Sequence, residues 1–276
     1  MCRGLLLFVT FVLLPLTGAA QGWDVGGFAR TVGVVSPVRV VGEGLHVGVV
    51  ADARHRLMVE RGDDAWAVQG HFIAGGIGGD VLGSARPPAL LVPEWGPETL
   101  LRWPGLIAGG KTDGGHLGAH AFVDRLNVSW RKGALQLRVG RQPVNLATAL
   151  MLSAHDVFVP FSPLAFFRAY KPGVDAVRLD WERLPEDDGG RVRVTLVGAL
   201  GYRPDDLPSF AEQPVLDASG LVGKVVWGVG NVDIIGIIGQ LMSRRFAGAG
   251  LQVDVDGWLW RGEALVQRPT TFGFEG

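Results

Sequence analysis

Residues 124–145 read D-R-L-N-V-S-W-R-K-G-A-L-Q-L-R-V-G-R-Q-P-V-N, and this stretch decides which fold the chain is expected to adopt. In its first half the apolar side chains of Leu126, Val128 and Trp130 alternate with polar ones. A period of two places successive side chains on opposite faces of a β-strand. Lys132-Gly133 is typical of a tight turn, and a second alternating run follows it. The stretch therefore predicts two antiparallel strands with one apolar, aromatic face and one charged face.

The same alternation recurs along the chain in about eleven segments of roughly ten residues, the length of a membrane-spanning β-strand. Tight turns rich in glycine, asparagine and aspartate separate some of these segments, and three long connections separate others. All the tight turns then fall at one end of the strands and the long loops at the other, as in outer-membrane barrels. One connection, 244–248, is short at the long-loop end, and the run D-I-I-G-I-I-G from Asp233 alternates poorly. The predicted strands span 27–40, 44–60, 65–75, 119–131, 134–142, 173–183, 191–203, 220–229, 232–243, 249–256 and 258–267, and the long connections span 76–118, 143–172 and 204–219.

The composition favours a membrane protein built from strands. Mean hydropathy is +0.25 and the chain contains 42 glycines, both unusual for a soluble globular domain. Beyond the N-terminus the nearest candidate for a transmembrane helix contains Lys224, Asn231 and Asp233, which argue against one. An apolar surplus without such helices is typical of lipid-facing side chains spread over many short strands. The predicted fold class is all-β, an antiparallel transmembrane β-barrel.

The N-terminus predicts export. Arg3 is followed by an apolar run from Leu5 to Leu16, and small residues at 18–20 suit a signal-peptidase site. We therefore expect residues 1–20 to be a cleaved signal peptide and the protein to reside in the bacterial outer membrane. The single cysteine, Cys2, lies in this segment. A mature chain without cysteine excludes a disulfide framework, a catalytic thiol and a cysteine-ligated metal.

The C-terminal end predicts an incomplete barrel. Bacterial single-chain barrels have an even number of strands, whereas about eleven are predicted here. The chain ends T-F-G-F-E-G, without the terminal aromatic residue that the barrel-assembly machinery usually reads. We expect 21–276 to be an outer-membrane β-barrel domain truncated at its C-terminus, contributing about 11 strands of a larger barrel. Two open strand edges in lipid are unfavourable without a partner, so an oligomer is compatible with this pattern.

Parity assigns each side chain to one of two faces. Apolar residues and tryptophans near strand ends are expected to face lipid, and polar residues the lumen. A soluble periplasmic β-sandwich would reverse this, with the apolar faces in a core. The outward set is Trp66, Val68, Phe72, Leu126, Val128, Trp130, Leu135, Leu137, Val139, Val177, Leu179, Trp181, Val192, Val194, Leu196, Val225, Trp227, Leu251, Val253, Val255, Trp258 and Trp260. The inward set is His71, Arg125, Asn127, Ser129, Gln136, Arg138, Arg178, Asp180, Arg193, Thr195, Lys224, Gln252, Asp254, Arg261 and Glu263.

Three motifs carry a family resemblance: V-G-R-Q-P-V at 139–144, D-V-F-V-P-F-S-P at 156–163 and Y-K-P-G-V-D-A-V-R-L at 170–179. The chain resembles porin-type outer-membrane proteins related to the alginate-export and phosphate-porin barrels, over about 60 residues. The resemblance implies a diffusion or export barrel of about 16 to 18 strands. The chain has Leu146-Ala147 where these proteins usually have Trp-Gly, and Val159 where asparagine is usual.

The long connection 143–172 is the expected site of selectivity, because a loop folded into a pore narrows it and fixed charges bias which solutes pass. Asp156 and Asp175 are assigned mainly to holding this loop, with its phenylalanines packing it. Arg168 and Lys171 are left between a pore role and a structural one. An excess of inward arginines predicts a mild anion preference. The candidate pore-lining or constriction residues are Arg125, Arg138, Arg168, Lys171, Arg178, Arg193, His155 and Asp156.

The predicted function is a porin-like channel for diffusion or export of small polar or anionic solutes, with outer-membrane lipid and the assembly machinery as partners. A net charge near −2 after removal of Arg3, from 25 basic and 27 acidic residues, gives no reason to expect nucleic acid. No catalytic residue, cofactor or metal is predicted. Asp113, His116 and His120 have a spacing that metal ligands can have, but they lie in a glycine-rich segment that argues against a preformed metal site. The alternatives are an outer-membrane lipid or ester hydrolase using Ser129 and His71, and the soluble binding protein.

Overall fold

The computed structural model describes residues 7–13, 18–20, 22–40, 44–79, 106–112, 115–148, 153–158, 171–184, 190–202 and 219–269. Within these residues the fold is all-β, without α-helix, and contains fourteen strands. No helix of the described part is long and apolar enough to cross a membrane. The strands are β1 (Leu7–Leu13), β2 (Gly18–Ala20), β3 (Trp23–Val40), β4 (Gly44–Gly62), β5 (Trp66–Gly79), β6 (Leu106–Thr112), β7 (Gly115–Lys132), β8 (Leu135–Gln142), β9 (Val174–Arg183), β10 (Arg191–Ala199), β11 (Gly220–Val229), β12 (Val232–Leu241), β13 (Arg244–Val255) and β14 (Trp258–Pro269).

The strands form one antiparallel sheet in which neighbours along the chain are mostly neighbours in the sheet. The order is β1-β3-β4-β5-β7-β8-β9-β10-β11-β12-β13-β14, with β2 beside β3 and β6 beside β7. In the described part the sheet therefore ends at β1 and at β14, and it is not closed into a barrel. Each of the eleven predicted segments coincides with one strand from β3, β4, β5 and β7 to β14. The antiparallel all-β prediction is confirmed.

Three strands were not predicted. β6 lies in the expected long connection 76–118 and forms a hairpin with the start of β7. β1 and β2 lie in residues 1–20, the predicted signal peptide, and pair with β3. The pairing of β1 and β2 with β3 describes the chain before any cleavage. It therefore does not test removal of residues 1–20 on export, which stays a prediction.

The described strands divide into two compact units. The first comprises Met1–Arg61, Gln69–Trp95 and Pro104–Asp124, and the second comprises Gly62–Val68, Gly96–Trp103 and Arg125–Gly276. In the first unit polar groups pair on one face. Arg56 and Asp124 form a buried ion pair, and the guanidinium of Arg56 lies 5.9 Å from the ring centre of Phe28. The Oε1 atom of Glu60 lies 2.7 Å from His71 Nε2. In this unit, therefore, charged side chains on different strands pair with one another.

In the second unit one face of the sheet carries the buried core. The core contains residues of the β8–β9 connection packed on strands β9 to β13, where alternate side chains point to the same face. Its members are Val144, Leu146, Phe158, Val174, Ala176, Val197, Ala199, Val222, Ile237, Leu241 and Phe246. The opposite face of the same strands exposes large apolar side chains, among them Leu196, Val225, Ile238 and Leu251.

The turn between β12 and β13 corrects one expectation. The predicted connection 244–248 is wrong, because β13 already begins at Arg244 and the turn consists of Met242 and Ser243. Both turn residues have positive φ, 48° and 60°, as a two-residue type I′ hairpin requires. Neither residue type signals such a turn. Asp256-Gly257, with φ of 51° and 81°, forms the same turn between β13 and β14 with the residues that do signal it.

The poor alternation of D-I-I-G-I-I-G also has a physical reason. In β12 Ile235 and Ile237 are buried on the core face, whereas Ile234 and Ile238 are exposed on the other. A strand whose two faces are both apolar reads as a continuous apolar run, because the covering loop removes the need for a polar face. The irregular pattern thus marks the strand on which the β8–β9 connection packs.

Candidate pore-lining site

The β8–β9 connection folds back across the core face of the second unit. Its described parts are 143–148, 153–158 and 171–173. Val144 and Phe158 are almost completely inaccessible and pack in the core beside strands β9 to β13. Burying a Phe or Val side chain is worth about 1.5–3 kcal/mol, so apolar contact holds the segment on the sheet. Leu146 is also buried there. It stands where the porin-type proteins that the chain resembles usually have tryptophan.

A buried carboxylate on β14 anchors Thr148, Ser153 and His155 of this connection. Glu263 Oε1 accepts a hydrogen bond from the backbone N–H of Thr148 at 2.6 Å. Its Oε2 accepts from the hydroxyl of Ser153 at 2.5 Å and from the backbone N–H of His155 at 3.2 Å. The Nδ1 atom of His155 lies 3.8 Å from Glu263 Oε1. Charge-assisted hydrogen bonds are about twice as strong as neutral ones. Glu263 therefore fixes the connection to β14.

Lys224 on β11 holds the first residues of the connection. Its Nζ donates to the backbone carbonyl of Leu146 at 2.7 Å and to the hydroxyl of Thr148 at 3.2 Å. Small residues on β13 give room for the loop: a Cβ built at Gly248 or Gly250 would lie 3.1 Å from the imidazole ring of His155. Close approach of this kind is a frequent reason for glycine in a strand. Lys224, Glu263 and these glycines therefore form the surface on which the loop packs.

The G-R-Q motif at the end of β8 has a structural role for each residue. Gly140 has a φ of 113°, and a Cβ there would meet the carbonyl oxygen of Leu126 at 2.3 Å. Arg141 donates two hydrogen bonds to Asp175, at 2.7 and 2.9 Å. Gln142 is fully buried and donates to the carbonyl of Ala176 at 2.9 Å. The motif therefore ties the start of the connection to the strand that follows it.

Residues of the other two family motifs, at 156–163 and 170–179, contact each other in the same β8–β9 connection. Lys171 and Asp156 form a buried ion pair across the connection. Tyr202, just after β10, is buried near Asp175, and burial raises the pKa of its phenol to about 12, with the Asp175 carboxylate adding to the shift. The neutral phenol can donate a hydrogen bond to the carboxylate of Asp175. All three motifs thus contribute groups that pair with one another or pack in the core.

The rest of the core face, toward the tryptophan-bearing ends of the strands, carries several ion pairs. Arg178 donates to both oxygens of Asp180, at 2.6 and 2.9 Å, and Thr195 donates to the same carboxylate at 2.7 Å. Arg193 pairs with Glu182 at 2.7 Å. One pair nearer the turns, Arg191 lies 2.8 Å from Asp233. These groups form a ladder of fixed charges beside the covered area.

The structure brings most predicted site residues into this region of the second unit. Arg178 and Arg193 lie in the charged ladder, whereas His155, Asp156 and Lys171 are buried in contacts of the folded connection. Arg138 lies opposite Arg178 in the register of β8 and β9, and its Nε has no hydrogen-bond partner among the described residues. Arg125 is half-buried on β7, and Arg168 lies outside the described residues. Asp156 pairs with Lys171 and Asp175 pairs with Arg141, which are contacts expected of residues that hold the loop.

Sequence reasoning missed the anchoring role of Glu263, although it placed this residue on the inward face. Its place on the inward face, between the small residues Gly262 and Ala264, was the available signal. The residues considered for other chemistry give no comparable cluster. Within the described part no group of three or more His, Cys, Asp or Glu could hold a metal, and Asp113 and the side chains of His116 and His120 lie outside it. His71 is buried and bonded to Glu60.

Comparison with protein-family models, with curated proteins and with solved structures found no match for this chain.

Proposed function

We propose that this chain forms the wall of an outer-membrane β-barrel of the porin type, which conducts small polar or anionic solutes. The observation that carries the proposal is the distribution of polarity over the second unit. Large apolar side chains, including Trp227, Leu251 and Trp260, are about half or more exposed on one face. The opposite face holds the ion pairs and the folded connection. An apolar surface of this extent calls for an apolar environment.

The positions of the tryptophans support a membrane interface. Trp66, Trp130, Trp181, Trp227, Trp258 and Trp260 all lie on the apolar face and all near the tight-turn ends of their strands. The rings of Trp66 and Trp130 lie 6.3 Å apart. Tryptophan is enriched where the hydrocarbon of a bilayer meets the headgroups, because its ring is apolar and its N–H needs a polar partner. We name these six residues the tryptophan belt.

The belt does not follow one hydrogen-bonded row but drifts across the sheet. Trp130 is in register with Leu179 through β8, and Trp181 lies two residues nearer the turn. Trp181 is in register with Val225 through β10, and Trp227 again lies two residues nearer the turn. The tryptophans therefore shift by two residues for every two strands.

The drift continues to the last strand. Trp227 is in register with Gly262 through β12 and β13, and Trp260 lies two residues nearer the turn. From β7 to β14 the shift is six residues over seven strand spacings. At ~3.4 Å per residue and ~4.8 Å per spacing, this corresponds to a slope of about 30°. Strands of transmembrane barrels tilt by about 35–45° from the barrel axis. A membrane plane that crosses strands of nearly this tilt would place its tryptophans along such a belt.

The core face would then line the lumen. The folded β8–β9 connection would narrow one part of it, and the charged ladder would line the remainder. In a wall of low dielectric constant, fixed charges bias the passage of ions. Most arginines of the ladder are paired with carboxylates, so Arg138, facing Arg178 across the register, supplies the local positive excess. This arrangement favours a mild preference for anions.

The test is single-channel recording of the protein in planar bilayers. Discrete conductance steps are expected, with a reversal potential in a salt gradient that favours anions. Arg138→Glu should shift that potential toward cations, whereas Arg138→Lys, which keeps the charge, should leave it nearly unchanged. A silent bilayer containing correctly inserted protein would contradict the proposal.

A further inference from the structure

The outward face of β12 to β14 carries a basic pair at the end away from the tryptophan belt. Arg245 and Arg268 are direct partners in the register of β13 and β14, and Gln240 is the partner of Arg245 on β12. All three side chains are accessible to solvent. The next outward row, toward the tryptophan belt, contains Ala247 and the exposed Val266. The two arginines therefore border the apolar surface on the side of the long loops.

Within the part of the chain that the structure describes, no carboxylate balances the charges of this pair. Like charges directly opposite one another on a sheet destabilise it. The Nε of Arg245 donates to the amide oxygen of Gln240 at 3.3 Å, and among the described residues no carboxylate lies within ion-pair distance of either arginine. By contrast, Arg191 and Arg193 on the other face each have an acidic partner. An external anion is the partner that would relieve the repulsion.

The position of the pair fits the second surface of a bilayer. Arg268 follows Trp260 by eight residues on β14. At ~3.4 Å per residue and a tilt of about 35°, the two positions are separated by about 22 Å along the barrel axis. The apolar band of a transmembrane barrel is about 25 Å tall. If the belt marks one interface, Arg245 and Arg268 lie at the level of the headgroups of the other leaflet.

We propose that Arg245 and Arg268, with Gln240 beside them, form a binding site for the phosphate group of an anionic lipid. Guanidinium groups bind phosphate through pairs of parallel hydrogen bonds, and two of them on neighbouring strands can hold one phosphomonoester from both sides. The acyl chains of the same lipid would lie on Val266 and Ala247. This inference rests on the proposed membrane barrel, because only in a bilayer does a lipid headgroup reach this edge.

The experiment compares unfolding in two kinds of vesicle, phosphatidylcholine alone and phosphatidylcholine with phosphatidic acid, whose headgroup is a phosphomonoester. The urea midpoint of the wild-type protein should rise with the mole fraction of phosphatidic acid. In R245Q/R268Q the apparent affinity read from this rise should fall about tenfold or more, since both charged donors are lost. The matched control, R191Q/R193Q, also removes two arginines but from the other face, and should keep the wild-type response.

Three results would overturn the lipid site. A wild-type protein that inserts but does not respond to phosphatidic acid contradicts the site, as does a response that R245Q/R268Q retains. Inorganic phosphate added to neutral vesicles should produce no comparable rise, and an equal rise would show a site for the free anion instead of a lipid. Protein that inserts into neither kind of vesicle contradicts the barrel itself, which distinguishes that failure from loss of the lipid site alone.

Discussion

The two halves of the core face in the second unit differ in how they are built. Toward the long loops, the face is apolar and is covered by the β8–β9 connection, with Phe158 and Val144 fully buried. Toward the tight turns, the same strands carry exposed or half-buried ion pairs such as Arg193 with Glu182. The change occurs within single strands, as in β10, where Val197 is buried and Arg193 is exposed. In β10, apolar and polar side chains therefore alternate in the half that no loop covers. In the half that the loop covers, both faces of the strand are apolar.

The largest expected effect comes from the covered half. Phe158→Ala should lower the free energy of unfolding by about 3–5 kcal/mol, because it empties the centre of the loop core. The matched change in the charged half is Arg193→Gln, which breaks an exposed ion pair and should cost about 0–1 kcal/mol. Urea unfolding of the protein reconstituted in vesicles, followed by tryptophan fluorescence, measures both. Equal losses from the two variants would mean that the halves do not differ as described.

The anchor on β14 should give the next largest effect. Glu263→Gln removes the charge that strengthens the hydrogen bonds from Ser153, Thr148 and His155, and should cost about 2–3 kcal/mol. Glu182→Gln, the same change at an exposed carboxylate, should cost about 0–1 kcal/mol. The same unfolding assay applies. Single-channel current of Glu263→Gln should also fluctuate more than that of Glu182→Gln, because the loop is less firmly held; identical noise would show that Glu263 does not anchor it.

The smallest of the three effects concerns the backbone at the start of the connection. Gly140→Ala should cost about 1–3 kcal/mol, because Gly140 has a positive φ and its Cβ would collide with the carbonyl of Leu126. Gly262→Ala is the control, since a Cβ there meets no atom within 4 Å and its φ is not positive. The control should be neutral or stabilising by about 0.5 kcal/mol. Unfolding midpoints that fall equally in both variants would remove the argument for a special backbone at Gly140.

Sequence reasoning was most successful where structure depends on neighbours along the chain. Alternation located each strand from β3 to β14 except β6, and parity placed Trp66, Val225 and Leu251 on the exposed face. It failed where a contact joins distant parts of the chain. The bond between Thr148 and Glu263 spans 115 residues, and no local pattern reveals which strand a loop reaches. The turn at Met242-Ser243 was missed because neither residue is typical of positive φ.

The most direct measurement of the central claim uses two single cysteines on β10 in a Cys2→Ser background. Arg193 lies on the charged face and Leu196 on the apolar face, and both side chains are exposed in the structure. In membranes containing the inserted protein, a charged maleimide added to the water should modify Arg193→Cys but not Leu196→Cys, because lipid would cover the second position. Rapid modification of both, or of Leu196→Cys alone, would show that the apolar face lies in water and would contradict the membrane barrel.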